Sequence, residues 1–516
     1  MSMNLPVLVS IKGKWENIAE RPVVGKDVLE LLSSSMYVNP LSIYREYVQN
    51  ATDSIEEAVA LGLLTRDSGR IDIRISPDDR VVRISDNGAG LSKSVFEKTL
   101  LSLGASRKRG TKARGFRGVG RLAGLGYCQE LIFRTKSEGE RQISEMRWDC
   151  RRLKSILRDS SFKGDIEELI KEVVKVYRCA AEDVNAHFFE VEMLGIVRHG
   201  DDRLVNTDSI RDYLSQVAPV PFSPSFKFAK EIENALREEV GFGNIRIHLN
   251  DEAEPVFRPH RNDFAARKGV ADGFVKVRFF EIKGNEGQLA AKGWVLDHGY
   301  LGAIDTSASI KGLRLRSGNM QVGESDVLNE LFAEARFNSW AVGEIHVLDT
   351  RILPNGRRDH FEQNTHFSNL LGQLRPIAQD LSRRCRQSSV HRNILRQFES
   401  LSEQVAHNLS VLSQGVIGPE DRERFVKDTR KEMKRIEHLQ SHPILEANEK
   451  KRIARALHRY QHRLESLGDD LHHKALNTMN NVERTIVTRV CSLIYEYSGN
   501  QSAAKHLIDR ILSRLK

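Results

Sequence analysis

The sequence contains no apolar run approaching the ~18 residues that a membrane-spanning helix needs. Its first residues, Met1-Ser2-Met3-Asn4-Leu5-Pro6, lack the basic start and apolar segment of an export signal. A cytoplasmic protein without membrane contact is therefore expected. Cysteine is scarce: Cys128, Cys150, Cys179, Cys385 and Cys491 are scattered, odd in number and without metal-ligand spacing. That argues against a disulfide framework and a thiolate zinc site. No internal repeat or low-complexity tract marks a solenoid or a disordered chain. An acidic surplus is also missing. The chain has 79 Lys+Arg and 70 Asp+Glu, and the last 146 residues, with 26 against 17, account for the whole net charge of +9. This basic segment reads either as a solvated helical face or as the contact surface for an acidic protein or a nucleic acid.

What is present begins with three motifs in fixed order. In the first, Tyr44, Val48, Ala51, Ile55 and Ala58 form the apolar stripe of an amphipathic helix. Glu46, Asn50 and Asp53 recur at the same steps on another face, aligning a carboxylate, an amide and a second carboxylate over about two turns. A solvated face has the same pattern. The chemical alternative is a Glu that accepts a proton from water beside an Asn oxygen suited to Mg²⁺. In the second motif, alternation through Ile71, Ile73 and Ile75, a turn at Pro77-Asp78-Asp79, and Val81 to Ser85 predict two strands ending at Asp86-Asn87-Gly88-Ala89-Gly90. A carboxylate there can accept from an exocyclic amine such as that of adenine, and Gly88 and Gly90 let the backbone approach a flat ring. An ordinary Asn-Gly turn would look alike. The third motif, Gly115-Phe116-Arg117-Gly118-Val119-Gly120, follows a stretch dense in glycine and positive charge and precedes Leu122, Ala123, Leu125 and Tyr127. Glycines at a helix start leave N–H groups free to hold phosphate, although a surface loop can also have this composition.

In this order the motifs resemble the GHKL ATPases of the Bergerat fold, shared by gyrase B, heat shock protein 90, histidine kinases and MutL. The resemblance implies an α+β chain binding ATP and Mg²⁺. Glu46 would be the general base, Asn50 the Mg²⁺ ligand and Asp53 the acidic position one turn on. Asp86, Gly88 and Gly90 would read adenine, and Gly115, Gly118, Val119 and Gly120 would hold phosphates at the end of a lid spanning residues 91–114. The family usually closes its pocket with a strand bearing a small hydroxyl residue. The strand expected here, His187 to Met193, has none.

Three domains are expected: an α/β sandwich ATPase domain over residues 1–205 with a helical insertion at 149–185, a transducer-like split β-α-β domain over 206–372, and a helical coiled-coil region over 373–516. Pro219, Pro221 and Pro224 mark entry into the second, where a helix is expected over Glu324–Phe337. By resemblance the transducer supplies a basic residue to the γ-phosphate, and Lys311 and Arg358 are the candidates. In the third, Ile394, Phe398, Leu401, Val405 and Leu412, and again Ile453, Leu457, Tyr460, Leu464, Leu467 and Leu471, approximate heptads that predict a hairpin or a dimer stalk. The layout is closest to heat shock protein 90-like and MORC-like ATPases. A histidine kinase would place this domain after a phosphoacceptor helix pair. The expected function is ATP hydrolysis by a homodimeric clamp that remodels or captures a protein or nucleic-acid partner. The alternative is a nucleotide-gated scaffold of a multi-protein system such as a defence system.

Overall fold

The computed structural model describes residues 39–102 and 120–515, apart from 160, 163, 199, 243–244, 268–269, 306–307 and 468–472. Gly115, Gly118, Val119 and lid residues 103–114 lie outside the described residues.

The first layer is a seven-stranded sheet. Its strands are β1 (Gly69–Ser76), β2 (Val81–Asp86), β3 (Glu130–Lys136), β4 (Gln142–Asp149), β5 (Val174–Ala180), β6 (Phe188–Leu194) and β7 (Ile245–Leu249), in the order β5-β4-β3-β6-β2-β1-β7. Only β1 and β7 run parallel; the other neighbours are antiparallel. Helix α1 (Ser42–Ala60) packs its Tyr44, Val48, Ala51 and Ile55 into the same core as Ile71, Ile73, Val82 and Ile84. The short helix α2 (Phe96–Leu101) anchors Phe96 and Leu100 there.

The segment expected to be a helical insertion is helical only in part. Helices α3 (Cys150–Arg158) and α4 (Ile166–Val173) each begin at an Asp whose side chain caps the first turn, and β5 follows. Val174, Val176 and Tyr177 favour extension, and the unpaired edge of β4 offers a hydrogen-bonding partner. The first core also continues beyond residue 205. Helix α5 (Thr207–Val217) contributes Ile210 and Leu214, and β7 adds Ile245, Ile247 and Leu249. Parallel pairing to β1 draws this later strand into the first sheet.

After helix α6 (Ala229–Leu236), a hairpin of β8 (Asp263–Arg267) and β9 (Val270–Gly273) leads to a second sheet. Its strands are β10 (Lys276–Lys283), β11 (Leu289–Asp297), β12 (Gly312–Ser317), β13 (Met320–Val322) and β14 (Val342–Val347), in the order β10-β11-β14-β12-β13 with β12 and β14 parallel. The connection into β14 carries 3₁₀ turns at Asn329–Leu331 and Ala335–Trp340 where an α-helix over Glu324–Phe337 was expected.

Helix α7 (Thr365–Gln414) contributes to three cores. Phe367, Leu370, Leu374 and Leu381 bury against the second sheet, whereas Ile394, Phe398 and Val405 meet α8 (Pro419–Gln440) and α9 (Ala447–Ser466). Gly415, at φ +65°, ends α7 in the left-handed conformation that glycine adopts without strain. Met433 and Ile436 of α8 and Ile453, Ala456 and Leu457 of α9 complete the bundle core. The described heptad positions Ile394, Phe398, Leu401, Val405, Ile453, Leu457, Tyr460, Leu464 and Leu467 are thus covered within the chain, whereas Leu471 lies outside the described residues. Helices α10 (Asn481–Tyr497) and α11 (Gln501–Arg514) pack on the end of α7 through Cys491, Tyr495 and Ile508.

Candidate functional site

Helix α1 is buried on almost every side. Glu46 and Asp53 are 6% and 7% exposed, and Arg45, Gln49 and Thr52 are buried with them. A solvated face would leave such groups in water, because burying a carboxylate is costly unless it is paired or used. The motif therefore lines an interior site. Asn50, between the two acids, is half-buried.

Asp86 ends β2 directly across from Phe189 of β6. Its Oδ1 accepts from the Gly88 amide at 2.8 Å, which folds the turn back on itself. Asn87 fixes the turn to β1: its Oδ1 accepts from Arg70 N at 2.8 Å and its Nδ2 donates to Ser68 O at 2.9 Å. Ala89 N donates to Ser54 O at 3.0 Å, seating the turn on α1. Two glycines are sterically required. A Cβ on Gly88 would collide with Ser54, and one on Gly90, at φ +67°, with the Lys136 carbonyl.

Two participants escaped the sequence reading. His187 Nδ1 hydrogen-bonds Gly88 O at 2.7 Å, and Thr135 Oγ1 accepts from Leu91 N and donates to Phe188 O, both at 2.8 Å. A hydroxyl therefore does stand beside the Asp86 turn, on β3 and not on the strand where the family pattern placed it. Its signal was the alternation Leu131, Phe133, Thr135, which points a polar residue inward.

The third motif enters the same pocket at its described end. A Cβ on Gly120 would collide with Glu46 Oε2, so this glycine makes room for the carboxylate. The 3₁₀ turn Gly120–Gly126 is held to α1 by Tyr47, whose hydroxyl accepts from Gly124 N at 2.9 Å and donates to Arg121 O at 3.2 Å. Arg121 in turn donates to Leu100 O and Ser102 O, tying the residues that flank 103–119. Burial lowers the Arg121 guanidinium to about 10.

The second sheet's region contributes the loop Pro354–Phe361, whose ends pair as an isolated bridge. Arg358, at φ +56°, is held by its carbonyl accepting from Gly323 N at 2.8 Å. Arg45 donates to the carbonyls of Arg357 at 2.8 Å and Arg358 at 3.5 Å. The Arg358 Nε then lies 3.4 Å from Glu46 Oε1, and Arg45 Nε lies 3.8 Å from the same oxygen. Lys311 is placed differently. Its carbonyl accepts from Arg314, and Ser309, two residues before it, donates to Asp212 of α5 at 2.6 Å. Among the described residues no contact joins Lys311 to Glu46 or Asn50.

The residues present are compatible with a bound nucleotide: Glu46 Oε1 is buried without a hydrogen bond, and at Gly88, Gly90 and Gly120 the backbone packs so closely on Ser54, Lys136 and Glu46 that no side chain would fit. Among the described residues no group of three or more His, Cys, Asp or Glu converges as a metal site. A cation at Asn50 would thus take most of its ligands from phosphate and water, the habit of Mg²⁺.

Residues 42–169 match the family model for "Histidine kinase-, DNA gyrase B-, and HSP90-like ATPase". The chain is also similar to the chaperone protein HtpG of Escherichia coli strain K12 and of Escherichia coli O157:H7. In each case identity is 24% over 232 residues, covering 42% of this chain and 32% of the relative. The chain thus spans about a third of the length of the curated relatives it matches. Over residues 42–169 the chain is thus similar to the ATPase domain that histidine kinases, DNA gyrase B and HSP90-like proteins share.

Proposed function

We propose that the protein is a cytoplasmic, Mg²⁺-dependent ATPase that works as a homodimeric clamp, closing on a protein or nucleic-acid partner when ATP is bound. The observation that carries this reading is the approach of Arg358 to Glu46 at 3.4 Å, which joins the second sheet's region to the pocket helix. In this reading Asp86 accepts from the adenine amine and Gly115 to Gly120 line the phosphates. Asn50 holds Mg²⁺, which neutralises phosphate charge when bound. Glu46 orients the attacking water and takes its proton, while Arg358 spreads its guanidinium over the phosphoryl oxygens. Among the described residues no helix is long and apolar enough to cross a membrane.

Two substitutions test the assignment. Glu46→Ala should lower ATP turnover by about 10²- to 10⁴-fold with ATP affinity nearly intact, because a general base acts on the transition state. Asn50→Ala should instead weaken Mg·ATP binding, measured by calorimetry with and without Mg²⁺. Wild-type turnover in Glu46→Ala would remove Glu46 as the base. Biological activity that survives the loss of turnover would be the outcome of the nucleotide-gated scaffold.

A further inference from the structure

Helix α9 carries charge of one sign. Residues 450–464 hold six Lys or Arg, two His and no Asp or Glu. Ile453, Ala456 and Leu457 are buried in the bundle core, with Tyr460 and Leu464 packed against it. Helical spacing therefore puts Lys451, Arg455, Arg459 and Arg463 in a single i, i+4 row that starts opposite the core side and winds to its flank. All four are exposed, and among the described residues none makes an ion pair.

A solvated face is the alternative, and other helices of the chain show what one looks like. On α8, Arg424 pairs with Asp421 and Arg435 with Glu432; on α4, Lys171 pairs with Glu167. Mixed signs at these spacings support a helix, whereas like charges weaken it. The α9 row stacks like charges three times in succession. A polyanion outside the chain would supply the counter-charge that the described residues lack.

The same bundle offers a second basic surface. A groove of about 1400 Å³ between α7 and α8 is lined by Lys427, Arg430, Lys431 and Lys434, beside Glu423 and Asp428. None of these four basic residues makes an ion pair among the described residues.

The spacing and composition of the α9 row choose among polyanions. Four cations at steps of about 6 Å span roughly 18 Å of helix. A duplex presents one phosphate charge per about 1.7 Å of its axis, so the row is neutralised wherever it lands. Beside the row stand His458, Gln461 and His462, all exposed, with no exposed aromatic or large apolar side chain. Single-stranded bases would need aromatic platforms on which to stack, and a membrane-surface helix would need an apolar face to insert.

We propose that the bundle of α7, α8 and α9 binds the phosphate backbone of double-stranded nucleic acid independently of sequence, with Lys451, Arg455, Arg459 and Arg463 as the contact row. This names the partner of the clamp and rests on that reading only for its purpose.

The test is fluorescence anisotropy of the full chain with a labelled random DNA duplex of about 30 base pairs, between ~50 and ~200 mM salt. Affinity should fall with a log–log salt slope of about −0.9 per phosphate, hence roughly −3 to −4 for the row alone. Arg455→Glu combined with Arg459→Glu should cost at least about tenfold in affinity and flatten the slope by about 2. Lys230→Glu, at an exposed position of α6, should change neither. The double variant should melt no lower than wild type, because charge reversal at these positions turns repulsion at 451/455 and 459/463 into attraction. Calorimetry on the same variant should show wild-type ATP binding. If neither protein binds ATP, the clamp reading fails while the nucleic-acid site stands. The proposal is overturned if the wild type ignores duplex at low salt, or if the variant binds it with an unchanged slope. Tighter binding to single-stranded DNA, phosphatidylserine vesicles or polyglutamate would overturn it as well.

Discussion

Replacing Arg358 by Ala tests whether the two regions share one active site. The Arg358 and Glu46 side chains are 11% and 8% exposed, with Nε and Oε1 3.4 Å apart. At an effective dielectric constant of about 20, that separation corresponds to roughly 5 kcal/mol of gross attraction, from which desolvation of both groups must be subtracted. In phosphoryl transfer an arginine reaching the transferring group contributes about 10³- to 10⁵-fold, or roughly 4 to 7 kcal/mol. Arg358→Ala should therefore reduce steady-state ATP turnover by at least about 10²-fold while calorimetric ATP affinity changes by less than about threefold. Because Arg358 and Glu46 contact each other, their effects should not add. Turnover of the Glu46→Ala, Arg358→Ala double variant should lie close to that of Glu46→Ala alone. Strict additivity would mean that the two residues act separately. If Lys311→Ala stalled turnover while Arg358→Ala did not, the assignment would pass to the Ser309 turn and the 3.4 Å contact would carry no catalytic meaning.

Two further outcomes are expected. Asp86→Asn should severely weaken ATP binding, because an acceptor-only carboxylate becomes an amide that can present a donor to the adenine amine; unchanged affinity in a folded variant would take Asp86 out of the site. Glu344→Gln should destabilise the fold by about 3–5 kcal/mol in urea unfolding, because Glu344 is fully buried between Arg258 and Arg316. Burial by itself would raise the Glu344 carboxyl, yet the two guanidinium charges hold it well below its usual range. A depressed carboxyl contributes stability above the unfolded-state value of about 4.3 and loses it as pH falls toward the folded value. The gap between wild type and variant should accordingly narrow on acidification, and a constant gap would refute this account.

The buried charges around Glu344 also limit where the chain can be cut. Arg316 donates to Gln216 O at 2.6 Å and Ala218 O at 3.3 Å, at the C-terminal end of α5, and Arg258 donates to Val220 O at 2.9 Å. The second sheet thus grips the helix that follows the first. Removing residues 373–516 would divide α7 and strip Leu374, Ala378, Leu381 and Cys385 from the second core. A shortened chain intended to retain nucleotide binding should end beyond that stretch.

The sequence by itself determined what a few neighbouring residues control. The α1 stripe, the Glu46-Asn50-Asp53 spacing and the strand running into Asp86 are patterns of period 3.6 or 2, set by local backbone geometry, and the structure shows each element. Contacts between distant segments were decided by packing. Sequence offered Lys311 and Arg358 as candidates; the carbonyls of residues 357 and 358 seated on Arg45 bring Arg358, and among the described residues not Lys311, to Glu46. Heptad spacing left open whether a hairpin or a second chain would cover α7, because an apolar stripe specifies burial without naming its partner. The fold placed α8 and α9 there. Parallel pairing carried β7 into the first sheet, and the fold of β3 beside β6 brought Thr135 to the turn at Asp86–Gly90. In each case the deciding energy comes from surfaces far apart in the chain that meet only once it has folded.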